Sequence, residues 1–443
     1  MILSRCFERQ QLGRVLRSHL TIDLSAHRAL LKTSLGLLLA VGAILYCRHY
    51  WDDAPGVTLY VEAARCALDR VPPQICNPFY TYPPIFALMT IPLVPLPLVL
   101  QNLAWYLLTI GSLVGCLMLS VRLAQRLAPE GWSTRDLAWL YGIGILLSLK
   151  FVFAATASQS YDALVVLLIL VGLVGLAEDR PGGPPVWSGL SLAFAAALKA
   201  TPLLFLPYLV VKRHYRTAAV MAIALVIISL LPDLLFTIGR GSSQGNFFLA
   251  WLHQVAQPAL TEKLAGNPNA FWVASNPNNN SLRGLVGMFV SDGAPTFKTF
   301  LYLVYAIYSA IVALIILRTG DNRSAPVIDG ALLLVSMLML SPMSSESHYV
   351  ALALPIFAMV ALWQKGDPGI RKIAGFFLLA IFVLTNAAAR DLVGVTVTAW
   401  AKDHRLLVIA VLLFPLFFAI QAFRRQRSIA QAEAPSAATQ HAA

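Results

Sequence analysis

Residues 187–211 read WSGLSLAFAAALKATPLLFLPYLVV. The stretch is apolar enough for a membrane, yet Lys199, Pro202 and Pro207 interrupt it. Proline removes a backbone donor and clashes with the preceding turn, so one straight helix is excluded. A cation near membrane depth is costly and is normally paired or functional. These features together predict a broken helical hairpin that turns near Lys199 and Pro202. Residues 83–97, PPIFALMTIPLVPLP, form a second interrupted segment, read as re-entrant or interfacial. Non-helical backbone at membrane depth is tolerated only where it is buried in protein or lines a cavity. The two breaks therefore point to a central, hydrated site.

The rest of the chain agrees. Of its 443 residues, 58% are hydrophobic and 12% are charged, against roughly 25% charged in soluble domains. A soluble enzyme, a disordered protein and a coiled coil are excluded. Apolar stretches at 29–47, 98–121, 136–154, 162–177, 217–238, 299–317, 326–342, 349–364, 373–388 and 404–423 read as spanning candidates. The fold class is an all-α polytopic membrane protein of about 10–12 transmembrane helices, given about 20 apolar residues per span. The net charge of +12 is a topology signal. Arg5 to Lys32, Arg122 to Arg135, Arg180, Lys212 to Arg216, Arg318 and Arg323, Lys365 to Lys372 and Arg424 to Arg427 all fall on one set of ends. The positive-inside rule then places both termini in the cytoplasm of a bacterial inner membrane. Residues 1–28 read as a basic cytoplasmic or interfacial arm. Residues 29–425 form the membrane body, with external loops 48–82 and 239–297. The Ala- and Gln-rich stretch 426–443 is expected to be disordered.

Unusual polar chemistry concentrates outside. The first external loop contains Asp52, Asp53, Glu62 and Asp69; a turn reads SQSYD, ending at Asp162; a later turn reads SPMSSESHY, with Glu346 and His348. These carboxylates are the acid/base candidates, and Asp52 and Asp53 sit just past the first span. Lys199 is read either as a lysine that bonds carbonyls freed by the break or as the counter-charge of a lipid phosphate. Its place at the break favours the second reading. Arg283 could clamp a phosphate bidentately, and His348 could stabilise a leaving phosphate. Trp251, Phe271 and Trp272 are expected in an interfacial aromatic belt, with stacking on a sugar ring or a lipid head group as the alternative. Cys66 and Cys76 share the first external loop, and the sequence leaves open whether they pair. No nucleotide-binding glycine loop, HExxH or CxxC occurs, so no cofactor and no metal site are expected.

Five segments in order resemble glycosyltransferase family 87: FYTYPPIFALMTIPLVPLP (79–97), SQSYDALVVLLILVGLVGLAEDR (158–180), SGLSLAFAAALKATPLLFLPYLVVKRHYR (188–216), NNNSLRG (278–284) and SPMSSESHY (341–349). The resemblance covers about residues 29–425. It implies a GT-C-type bundle with periplasmic loops and a polyprenyl-phosphate sugar donor of the mannose or arabinose kind. It also implies inverting, metal-independent transfer. The matching positions are Tyr82, Pro83, Pro84, Gln159, Lys199, Pro202, Asn279, Ser281 and His348. The chain departs from the pattern at Gly56, where the family carries an Asp as general base; Asp53 is the nearest carboxylate.

The expectation is a membrane glycosyltransferase that moves a hexosyl or pentosyl unit to a lipid or cell-envelope glycan acceptor. Asp53, Asp52 and His348 are its catalytic candidates. Lys199, Arg283, Tyr82, Gln159, Asn279 and Ser281 are its substrate-binding candidates. The partners are the donor, the acceptor and membrane lipids, with no nucleic acid. The rival readings are a lipid or sugar transporter or flippase, and a non-catalytic relative that binds polyprenyl lipid.

Overall fold

The computed structural model describes residues 24–128, 131–178, 183–236, 246–261, 272–320 and 324–440. Among these residues no strand forms. Among the described residues seven helices are long and apolar enough to cross a bilayer: Leu98–Leu127, Thr134–Ala157, Tyr215–Phe236, Phe297–Arg318, Glu346–Lys365, Pro368–Asn386 and Leu406–Arg424. The protein is an all-α, multi-pass membrane protein. Two of the expected spans form shorter helices, Asp162–Ala177 and Ala325–Met339.

A helix that is apolar on every face must be buried in protein or turned to lipid. Both outcomes occur. Helix Ala325–Met339 buries every one of its residues. Helix Thr134–Ala157 turns Trp139, Leu146 and Phe153, one face at seven-residue spacing, outward and largely exposed. Contiguous apolar surface of this kind belongs against a membrane rather than water.

The chain divides into two compact units. The first comprises Met1–Ala54 and Pro97–Leu107. Within it, Asn102 donates to the Tyr50 carbonyl at 2.8 Å, and Tyr106 donates to the Leu39 carbonyl at 3.3 Å. The expected N-terminal arm lies almost wholly outside the described residues. The second unit is Pro55–Leu96 and Leu108–Ala443.

The stretch 187–211 folds as its prolines predict. Helix Val186–Leu198 ends at Lys199, which is extended at φ −150° and ψ 126°. A 3-10 turn, Thr201–Leu204, leads into helix Phe205–Val211. Thirteen helical residues rise about 20 Å, short of the roughly 30 Å hydrocarbon core. The chain then reverses. Gly189 lies against Thr217 and Val220, whereas Ala196 and Ala200 share a groove with Leu225 and Ser229. Helices Val186–Leu198 and Tyr215–Phe236 therefore run in the same direction, and Phe205–Val211 is the return arm. A Cβ at Gly189 would stand 2.8 Å from the Thr217 carbonyl oxygen, so only glycine permits this contact. The YPP segment also breaks. Helix Pro84–Thr90 and the turn Ile91–Leu93 together span ten residues, too few to cross.

Cys66 and Cys76 form a disulfide, with Cα atoms 6.2 Å apart. The last helix continues from Leu406 to Gln440, through the stretch expected to lack structure. Ala and Gln are strong helix formers.

Candidate functional site

The site is built where two antiparallel helices begin and end. Gly172 lies against Leu192, and Gly175 against Ser188, so helices Asp162–Ala177 and Val186–Leu198 run in opposite directions. That register brings the first residue of one beside the residue after the other. Lys199 Nζ lies 2.5 Å from Asp162 Oδ1. Asp162 is 6% exposed, and a charge so buried needs a partner of this kind. The hydroxyl of Tyr161 donates to the Leu198 carbonyl at 3.0 Å and pins the break. The Ser160 hydroxyl donates to Asp162 Oδ2 and accepts from the Asp162 amide at 3.1 Å. The carboxylate also sits at a helix N-terminus, where the helix dipole favours negative charge.

His348 arrives from the 3-10 turn Glu346–Leu352. Its Nδ1 accepts the Ser345 amide at 3.3 Å. The neutral ring therefore carries its proton on Nε2, which faces Asp162 Oδ2 at 3.6 Å. Asp162, Lys199 and His348 line one cavity with Thr201, Ser341 and Ser344. Its volume is about 20 Å³, which is room for a single water. Lys199 and His348 are more open than the carboxylate behind them, with side chains 21% and 23% exposed against 8%.

A layer of aromatic rings lies beside the cluster. Tyr82 meets Tyr161 edge-on at 5.0 Å and Tyr60 at 5.6 Å. Phe86 stacks on Tyr161 at 4.2 Å. Burial pushes the Tyr82 phenol up to about 12, so it stays a neutral hydroxyl at ordinary pH. Next to it, Pro83, Pro84, Ala197, Ala200, Phe248 and Trp251 line an apolar groove of about 290 Å³. Trp251 donates to the Thr81 carbonyl at 3.2 Å. It is thus part of the groove wall. Trp272 is 7% exposed and packs on Val255, which differs from the belt position expected for it. Phe271 lies outside the described residues.

The remaining expected residues occupy connecting roles. Gln159 has a left-handed φ of 51°. Its Oε1 accepts the Gly56 and Val57 amides at 3.0 and 3.1 Å, satisfying first-turn donors of helix Pro55–Leu68. A Cβ at Gly56 would stand 2.7 Å from Gln159 Cβ, so this backbone has no room for a side chain there. Asn279 is fully buried. It donates to the Pro342 carbonyl at 3.0 Å and accepts the Ser281 hydroxyl at 2.8 Å. The Asn280 amide donates to the Ser344 carbonyl at 2.7 Å, and the Tyr349 hydroxyl donates to the Asn280 carbonyl. NNNSLRG is thereby docked onto SPMSSESHY. Arg283 is 3% exposed. It faces Asp292 at 3.5 Å and lies over the Phe297 ring. Glu346 pairs with Lys150 at 3.6 Å, and Glu62 accepts from Asn77 at 3.1 Å. Asp52 and Asp53 are exposed residues of the first unit. Among the described residues, no three His, Cys, Asp or Glu side chains converge as metal ligands would.

Sequence reasoning named Asp162 among six carboxylates but did not select it. A signal existed: Asp162 and Lys199 lie about equally far in sequence from the Pro- and Gly-rich stretch PGGPP, as two facing positions of a helical hairpin must.

Comparison with known proteins agrees with these motifs. The model of glycosyltransferase family 87 matches residues 80–342. A polyprenol-phosphate-mannose-dependent alpha-(1-2)-phosphatidylinositol mannoside mannosyltransferase of Mycolicibacterium smegmatis is 26% identical over 295 residues, 64% of this chain and 62% of the relative. A polyprenol-phosphate-mannose-dependent alpha-(1-2)-phosphatidylinositol pentamannoside mannosyltransferase of Mycobacterium tuberculosis is 26% identical over 310 residues, 68% of this chain and 63% of the relative. The chain thus spans less than two thirds of the length of these relatives. Among solved structures, ArnT from Cupriavidus metallidurans bound to undecaprenyl phosphate is similar at a TM-score of 0.40 and 13% identity. That match covers 89% of this chain and 79% of that one.

Proposed function

The chain belongs to glycosyltransferase family 87, and from that premise we propose that it transfers a hexosyl or pentosyl unit from a polyprenyl-phosphate sugar to a lipid or cell-envelope glycan acceptor. The relatives named above depend on polyprenol-phosphate mannose, so mannose is the first sugar to test. The protein sits in a bacterial inner membrane with both termini cytoplasmic, as its basic loops direct. The site then faces the periplasm. The Cys66–Cys76 disulfide supports that side, since such bonds persist in oxidising compartments.

The observation that carries the reading is Lys199, a cation at the break of an apolar hairpin whose side chain lines a cavity with Asp162 and His348. A polyprenyl phosphate is an anion on an apolar chain. Lys199 offers the charge, and the groove that begins at its neighbour Ala200 offers apolar lining. His348 donates toward the same space and can receive the phosphate oxygens. Tyr82 bounds the site with a neutral hydroxyl. In the reaction, an acceptor hydroxyl oxygen attacks the anomeric carbon as the bond to the phosphate oxygen breaks, with inversion. Lys199 stabilises the charge that gathers on the phosphate. A carboxylate must take the acceptor's proton; the sequence offers Asp53 and Asp52, and the cavity adds Asp162.

The test is incubation of the purified chain in liposomes with labelled polyprenyl-phosphate mannose or arabinose and bacterial membrane lipids, followed by mass spectrometry. A new glycosylated lipid or glycan is expected. Movement of unaltered donor across the bilayer, with no product, would replace transfer by transport.

A further inference from the structure

We infer that Asp162 is the base that accepts the acceptor's proton, and that Lys199 masks it until the donor phosphate arrives. The inference rests on the glycosyl-transfer reading above. Three observations carry it. Asp162 is the carboxylate that lines the cavity shared by Lys199 and His348. The backbone at Gly56 has no room for another acid, because Gln159 fills the adjoining space. Both oxygens of Asp162 are engaged, Oδ1 by the Lys199 ammonium and Oδ2 by Ser160, with His348 facing it.

A carboxylate in a tight ion pair is a poor base, since the cation stabilises its charged form. The donor phosphate changes this balance. It is an anion that competes for the same ammonium, and lysine carries its charge on a flexible stem with three rotatable donors. As Lys199 turns toward the phosphate, Oδ1 is released to accept a hydrogen bond from the acceptor hydroxyl. The proton then moves to Asp162 while the hydroxyl oxygen bonds to the anomeric carbon. The bond from that carbon to the phosphate oxygen breaks, and its electron pair leaves with the phosphate. One negative charge disappears at Asp162 as one appears on the phosphate, and Lys199 stays beside both. The scheme requires ordered binding, donor before acceptor.

The experiment uses the full chain in liposomes, with polyprenyl-phosphate mannose as donor and bacterial membrane lipids as acceptor. Asp162→Asn keeps the shape of the side chain and one acceptor oxygen but removes the charge and the basic carboxylate. It is expected to lower kcat by about 10²–10⁴-fold, with the donor KM unchanged or lowered, since the phosphate no longer competes with a carboxylate for Lys199. The wild-type loss of kcat toward acid pH, read with donor bound and Lys199 drawn away, should vanish from its residual rate. Initial-rate patterns should show the donor binding first. Transfer by Asp162→Asn within about threefold of wild type overturns the inference, as does an intact acid limb in the variant. A loss confined to the donor KM overturns it too, because it makes Asp162 a positioning residue for Lys199. If the wild-type chain itself transfers no sugar, the glycosyl-transfer reading fails and takes this inference with it.

Discussion

Two Lys–Asp pairs flank the return arm of the broken hairpin, and they are built to opposite ends. At the far end of the arm, Lys212 lies 3.2 Å from Asp329. It also donates to the Ile316 and Gly320 carbonyls at 2.8 Å each and to the Thr319 hydroxyl at 3.0 Å. Thr319 in turn donates to Asp329 at 2.7 Å. The lysine side chain is 7% exposed and the aspartate is fully buried. An ammonium has three donors, and here protein acceptors take them all. At the break, among the described residues the Lys199 ammonium bonds Asp162 alone, and the side chain lines a cavity. The first pair ties the C-terminus of helix Phe297–Arg318 to the hairpin. The second keeps donors in reserve for a ligand. The charges are alike; greater exposure and the smaller count of satisfied donors separate the site from the clamp.

The comparison can be broken most forcefully at the clamp. Lys212→Ala leaves Asp329 buried and uncompensated, and is expected to destabilise the fold by about 3–5 kcal/mol, read by thermal unfolding in detergent. Replacing both partners, Lys212→Met with Asp329→Leu, should recover most of that loss. If it does not, the pair is more than structural. Lys199→Ala should cost less stability than Lys212→Ala, because Ser160 and His348 remain beside Asp162, but slow transfer by about 10²–10³-fold, the scale for removing one charge-stabilising donor. A variant that unfolds instead would make the two pairs alike.

Smaller effects sharpen the picture around the site. Gly56→Ala places a Cβ 2.7 Å from Gln159 Cβ and should destabilise by about 1–3 kcal/mol. Unchanged denaturation would show that Gln159 yields easily. The smallest expected change is Tyr82→Phe, a loss of about 0.5–1.5 kcal/mol. Burial holds the Tyr82 phenol at about 12, whereas an exposed tyrosine ionises near about 10. Stability from the buried neutral hydroxyl is thus whole below about pH 10 and is lost as pH rises toward about 12. Stability measured across that alkaline range should fall less in Tyr82→Phe than in wild type.

Much of the fold was legible because prolines and charges act locally. Pro202 and Pro83–Pro84 end helices wherever they stand, so the hairpin and the YPP break could be read from residue types. Lys199 stood out because a cation is rare in an apolar run. The partners were not legible. Spans that are apolar on all faces carry almost no periodic signal to say which side meets protein. Gln159, Asn279 and Ser281 matched family motifs, yet they bond backbone groups and one another's neighbouring motifs. Arg283 looked like a phosphate clamp until Asp292, nine residues on, was found beside it.

By itself, the sequence determined a multi-pass helical membrane protein, two broken segments and a lysine at one of the breaks. Composition and backbone chemistry are enough for those, since lipid admits few backbone solutions and few charges. Only the tertiary structure decided what that lysine faces. Asp162 and Lys199 are 37 residues apart, and their meeting depends on the register of two helices packed at glycines. Side-chain volumes at those contacts set the register, and such packing is a property of the assembled helices rather than of either segment.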